Sequence, residues 1–142
     1  MSVIESIIRE IENLVPEVLK NPLDKNLNNG NASLCIIDEN GQVFGKLFGT
    51  DKNKMRQTFK TAWTKASQVW ITGFKTGEYE KLVFNKEINE HDFGIIRPDF
   101  IGWEGGQPIV LKDGTKLSIG FSGFRGVTDL EIVINAINKL NL

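Results

Sequence analysis

Cysteine, histidine and tyrosine each occur once in these 142 residues. The lone Cys35 excludes an internal disulfide, and its place in the apolar run Leu34 to Ile37 predicts a buried, inert thiol. One cysteine, one histidine and scattered carboxylates lack the four-ligand spacing of a structural zinc site. Charge of one sign is also missing: 18 acidic and 17 basic residues leave a net charge of −1, so nothing draws the whole chain to nucleic acid or an anionic membrane. No apolar run reaches the roughly 20 residues of a membrane helix, and Glu5, Arg9, Glu10 and Glu12 interrupt the apolar N-terminus where a signal peptide needs continuity. A cytoplasmic protein with neither a nucleic-acid nor a membrane partner is therefore expected. No Ser-His-Asp order, Cys-His dyad or phosphate loop is recognisable, and Ser122, between Gly120 and Gly123, lacks the strand-to-helix elbow of hydrolases.

What is present suffices for one domain, residues 1–142. A chain of this length buries about two thirds of the surface its unfolded form exposes, so it needs no covalent staple. Ile4, Ile7, Ile8, Ile11, Leu14, Val15 and Val18 recur at helical spacing behind a possible N-cap at Ser2, which predicts a helix over 2–20 that Pro16 kinks or ends. The Asn-rich stretch from Asn21 to Asn31 reads as a polar connector containing a turn. Strand signals begin at Ala32: Leu34 to Ile37, the Asn40-Gly41 turn and Val43 to Phe48 form a hairpin. The longest helix follows, capped by Thr50 or Asp51, striped by Met55, Phe59, Ala62, Trp63, Ala66, Val69 and Trp70, and closed by Gly73. Tyr79 to Phe84 suits a short helix or an edge strand, and His91 to Phe100 reads mostly as loop.

The densest stretch lies beyond. Gly105 and Gly106 admit backbone conformations and close approaches that other residues forbid, and Pro108 fixes a rigid entry to the strand Ile109 to Leu111. Asp113-Gly114 offers a hairpin turn, after which Leu117, Ile119 and Phe121 alternate with Lys116, Ser118 and Gly120 to give one buried face. Ser122-Gly123 turns the chain again. Thr128 and Asp129 then stand as N-caps before the stripe Leu130, Val133, Ile134, Ile137 and Leu140. With no internal repeat or linker, the elements predict an α+β domain in which one antiparallel sheet carries flanking helices.

The run Gly105-Gly106-Gln107-Pro108-Ile109, then Asp113-Gly114, then Ile119-Gly120-Phe121-Ser122-Gly123 and Asp129 resembles the signature of the GlcG/HbpS-like family, also called haem-degrading. Ile36-Ile37-Asp38, Gly41 and the helical Lys65-Ala66 echo its first half, so the resemblance spans roughly residues 32 to 140. It implies a profilin-like fold, homo-oligomers, and a small-molecule ligand with haem or a related tetrapyrrole as the first to test. Phe124-Arg125, where small residues are usual, and the middle segment depart from the family pattern. Resemblance and turn chemistry together put the expected ligand site between the long helix and the Gly105-Gly106 loop, with Trp103 and Pro108 at its rim.

Chemistry-bearing residues remain few. His91 is the only imidazole, with Glu87, Glu90 and Asp92 nearby to orient it or to complete a metal site of unknown identity; the simpler alternative is a solvated surface histidine. Glu87 and Glu90, three apart, share a face if that stretch is helical. His91, Cys35, Met55 and Tyr79 are the chemically possible axial donors to a haem iron. Trp63, Trp70, Trp103, Phe121 and Phe124 could line an apolar slot or belong to a core or subunit interface. Lys52, Lys54, Arg56, Lys60 and Lys65 enrich the long helix in positive charge, which reads as a solvated face or as pairing with a neighbouring subunit. No acid, base or nucleophile is supplied for catalysis. The resemblance thus implies a non-enzymatic small-molecule-binding domain. The alternatives are a homo-oligomeric assembly protein, its apolar N-terminal helix buried against a second copy, or an enzyme of haem or small organic acid metabolism.

Overall fold

The computed structural model describes residues 1–96 and 99–142. Its centre is a four-stranded antiparallel sheet made of β1 (Ala32–Asp38), β2 (Val43–Phe48), β3 (Gly106–Val110) and β4 (Lys116–Ser122), in the order β2-β1-β4-β3. The two hairpins read from the sequence form as expected. They join through β1 and β4, so both strands are central and β2 and β3 are edges. Pro108, which has no N–H to give a ladder, sits accordingly in edge strand β3.

Helices cover both faces. On one lie α1 (Val3–Val18) and α5 (Gly126–Lys139), whose Ile7, Ile11, Val15, Ile132, Val133 and Ala136 enclose the main core with Leu34, Ile36, Leu117, Ile119 and Phe121. Ser2 caps α1 in a reciprocal box with Glu5. Pro16 is accommodated within α1, which ends two residues later. The apolar face of α1 packs against α5 and the sheet of its own chain.

The other face carries α3 (Lys52–Thr72), capped by the Asp51 carboxylate and closed by Gly73 in the left-handed region at φ 77°. Its seat is a row of small residues. The strand registers align Gly45, Cys35, Gly120 and Gly106 across all four strands. A Cβ added at Gly120 would lie 2.2 Å from Ala62 O and 2.7 Å from Ala66 N, so α3 rests directly on the backbone there. At Gly45 the space is filled by the Phe59 ring. Cys35 is sealed beneath the helix, and burial pushes its thiol up to about 11.

This arrangement corrects the single buried face expected of β4: α3 covers one side and α5 the other, and Ile119 through Ser122 are buried throughout. The α3 stripe shifts as well. Its inward side is Thr58, Ala62, Lys65, Ala66, Gln68, Val69 and Thr72, while Trp63 and Trp70 remain nearly half exposed. The expected connector at Asn21–Asn31 contains a short helix, α2 (Pro22–Lys25), capped by Asn21. Of the alternatives for Tyr79 to Phe84, the helix is realised, within α4 (Thr76–Phe84). A single 3₁₀ turn, Glu90–Phe93, follows; of the loop expected over His91 to Phe100, residues 97 and 98 lie outside the described residues. No helix among the described residues is long and apolar enough to cross a membrane.

Candidate functional site

The segment that returns the chain to the sheet is strapped to the helices. Gln68 bonds the backbone of Ile101 twice, Nε2 donating to its carbonyl at 2.9 Å and Oε1 accepting from its N–H at 2.7 Å. Thr76 Oγ1 donates to Trp103 O at 2.6 Å and accepts from Gly106 N–H at 3.3 Å. These bonds bracket Trp103 and leave its side chain 71% exposed, standing over a surface cleft of about 480 Å3.

The cleft floor is charged. Lys65, on the inward side of α3, is 2% exposed; its Nζ donates to Phe121 O at 2.9 Å and approaches Asp129 Oδ2 at 3.4 Å. The other carboxylate oxygen of Asp129 accepts the Phe124 N–H at 3.0 Å. Burial raises the Asp129 carboxyl to about 7 even with Lys65 beside it, and the same burial lowers Lys65. At 3.4 Å the two groups titrate as a coupled pair, burial pushing each toward its neutral form. Gly105 closes over them at φ 125°. A Cβ there would sit 2.5 Å from Phe121 O and 2.6 Å from Lys65 Nζ, so the position requires glycine in both conformation and space.

The cleft wall is the start of α5. Asp24 of α2 is 2% exposed and accepts four hydrogen bonds, from Arg125 N, Nε and Nη2 and from Thr128 Oγ1, at 3.0–3.1 Å. Burial alone would raise this carboxyl; the bonds from Arg125 and Thr128 hold it below the usual range. Arg125 is the backbone N-cap of α5 and makes no side-chain cap, and Gly126 and Val127 of the first turn line the cleft. Leu27, Phe124, Val127 and the Trp103 ring supply apolar surface, and Glu104 supplies a carboxylate resting over Gly126. The arrangement can seat a small molecule with an apolar face and an acceptor group.

Of the residues singled out by sequence, Trp103 and Gly105 come together here. Gly106 lies in β3, where Lys65 and Thr76 of the same chain take the close approach its missing side chain permits, and it borders a neighbouring cleft with Lys75 and Leu130. Pro108 borders a third cleft, beside Val69 and Trp70. His91 is exposed on the 3₁₀ turn and borders none of these three clefts. Among the described residues no three histidine, cysteine, aspartate or glutamate side chains gather into a metal cluster. Lys65, Asp129, Asp24 and Arg125 were missed as site residues. Lys65 read as part of a solvated face and Asp129 as an N-cap, whereas Asp129 is the fourth helical residue of α5 and reaches back to Phe124. The available signal was Lys65 beside Ala62 and Ala66, three residues that helical spacing sets on one face.

No family model matches the chain, and no curated protein matches it in sequence. Solved structures do match. HbpS superposes with a TM-score of 0.60 at 18% identity, covering 98% of this chain and 89% of its own. The fold is that of HbpS. PduOC, solved in complex with haem, matches with a TM-score of 0.67 at 16% identity over 99% of this chain and 95% of its own. Klebsiella pneumoniae protein ORFY matches with a TM-score of 0.64 at 14% identity over 93% and 86%. The HbpS fold thus extends over nearly the whole chain, beyond the residues 32 to 140 that carried the sequence resemblance.

Proposed function

We propose that this chain is a small-molecule-binding domain whose ligand seats in the Trp103 cleft. The observation that carries the reading is the buried Lys65–Asp129 pair beneath an aromatic rim: two costly ionisable groups held at the floor of a cleft with apolar walls. The ligand class that fits is a flat, largely apolar molecule bearing a carboxylate or carbonyl. Leu27, Trp103, Phe124 and Val127 would contact its faces, and Arg125 with the first turn of α5 would meet its acceptor.

Haem is the first ligand to test, because PduOC, of the same fold, was solved with it. The cleft residues fit the macrocycle and its carboxylates but not the iron. They bring it no imidazole, thiolate or thioether: His91 is elsewhere, Cys35 is sealed under α3, and Met55 lies at the β2 edge of the sheet. Haem here would be held by packing and charge.

The test is a haemin titration followed at the Soret band, comparing wild type with Trp103→Ala, Val127→Glu and His91→Ala. Saturable one-to-one binding, weakened about tenfold or more by the first two changes and untouched by the third, is the expected result. Equal affinity in Trp103→Ala and Val127→Glu would remove the cleft from the site, and absence of saturable binding in wild type would remove haem.

A further inference from the structure

Along the seam between α3 and edge strand β2 runs a surface that the Trp103 cleft does not use. Gly45 faces α3 and takes the Phe59 ring, so by strand alternation Val43 and Leu47 face the same way. They are 46% and 47% exposed. With Met55, Phe59 and Trp63 they make an apolar strip, its deepest part a shallow groove of about 620 Å3. Lys52, Arg56 and Lys60 rim that groove, and among the described residues none of them has a carboxylate within ion-pair distance. All 21 residues of α3 include no acid. Beside the strip, the outer edge of β2 pairs with no other strand among the described residues.

We infer that this seam is a docking surface for an extended acidic–apolar segment of another protein, added as a strand to the free edge of β2. Three features converge on that occupant. An open edge offers backbone N–H and C=O groups in a line. Apolar side chains on one face of an added strand would reach Leu47, Met55 and Phe59, removing apolar surface of both partners from water. Unpaired cations at the rim select acidic neighbours. A second copy is disfavoured by the same cations, since two-fold pairing of β2 with β2 sets the Lys52, Arg56 and Lys60 rim against itself.

The test uses two blocked hexapeptides, one alternating Val and Glu, the other Val and Lys, titrated into the ¹⁵N-labelled full chain. The Glu peptide should shift amides of Val43–Phe48 and of α3 around Met55 to Trp63, and should bind at least about tenfold more tightly than the Lys peptide. In the Arg56→Glu/Lys60→Glu double variant, both changes being on exposed positions, that preference should reverse. Equal affinity for the two peptides, or shifts confined to other residues, overturns the proposal. So does concentration-dependent self-association that moves the same amides and is abolished by Leu47→Glu, which would assign the seam to a second copy. Haemin binding through the Trp103 cleft is read separately at the Soret band, so either reading can fail alone.

Discussion

Lys65 and Asp129 show how one lysine on a helix can belong to the interior. Its four neighbours in charge along α3 face water or the rim, yet its Nζ reaches inward to Phe121 O and Asp129. Because Asp129 holds its proton up to about pH 7 when folded, against an ordinary value of 3.8, the folded chain binds that proton more tightly than the unfolded one. The resulting stability is fully present below about pH 4 and is lost as pH rises through 7. Unfolding free energy from urea melts should therefore carry a falling contribution between pH 4 and 7, of at most roughly 1.4 kcal/mol per pH unit for one proton. Asp129→Asn should remove that slope, and its cost should be greatest above about pH 7, where it takes the anion away from the buried Lys65. An unchanged slope would place the titrating group elsewhere. Tyr79 offers the opposite case. It is fully buried between the Phe93 and Phe100 rings, and its hydroxyl has no hydrogen-bond partner among the described residues. Tyr79→Phe should thus raise the unfolding free energy by up to about 1 kcal/mol, readable in the same melts.

At the scale of elements, the sequence told more about where structure begins and ends than about which way it faces. Ser2, Asp51 and Gly73 mark helix ends by their side chains or their freedom at positive φ, and each stands at its expected boundary. The two hairpins were equally plain, from Asn40-Gly41 and Asp113-Gly114 between alternating strands. The inward face of α3 was not. Periodicity ranks Trp63 and Trp70 above Thr58, Lys65 and Gln68 as core, but the seat on Gly45, Cys35, Gly120 and Gly106 admits only side chains that lie flat or run along the helix. The indole rings of Trp63 and Trp70 are displaced to the flanks, while the Phe59 ring takes the space over Gly45. Asp24 escaped notice because its partners lie about a hundred residues away, in the first turn of α5. The tight seat also yields a number. Gly120→Ala drives a methyl into the backbone of Ala62 and Ala66, which cannot yield as a side-chain tip can, so a loss of about 3 kcal/mol is expected in chemical denaturation. A loss below about 1 kcal/mol would mean that α3 lifts freely.

For the molecule as a whole, the α+β class was legible in the order of elements, and the likeness to the HbpS fold in the motif residues from Gly105 to Asp129 that carry the resemblance. The site was legible only at its rim, in Trp103 and Gly105. Its floor is assembled from α3, β4 and α5, and no local pattern encodes a meeting of residues 65, 121 and 129.

The row of small residues beneath α3 has a consequence for how the chain folds. Its four members come from positions 35, 45, 106 and 120, so the platform exists only once both hairpins have come together. A lone hairpin gives the helix half a landing. Docking of α3 and closure of the β1–β4 pairing should therefore be a single kinetic step, governed by the loop that spans from the first hairpin to the second. In pulsed hydrogen exchange during refolding, amides of β4 and the Ala62–Val69 stretch of α3 should become protected in one phase, and that phase should be the slow one. Protection of α3 ahead of β4 would show that the helix finds a foothold on the first hairpin alone.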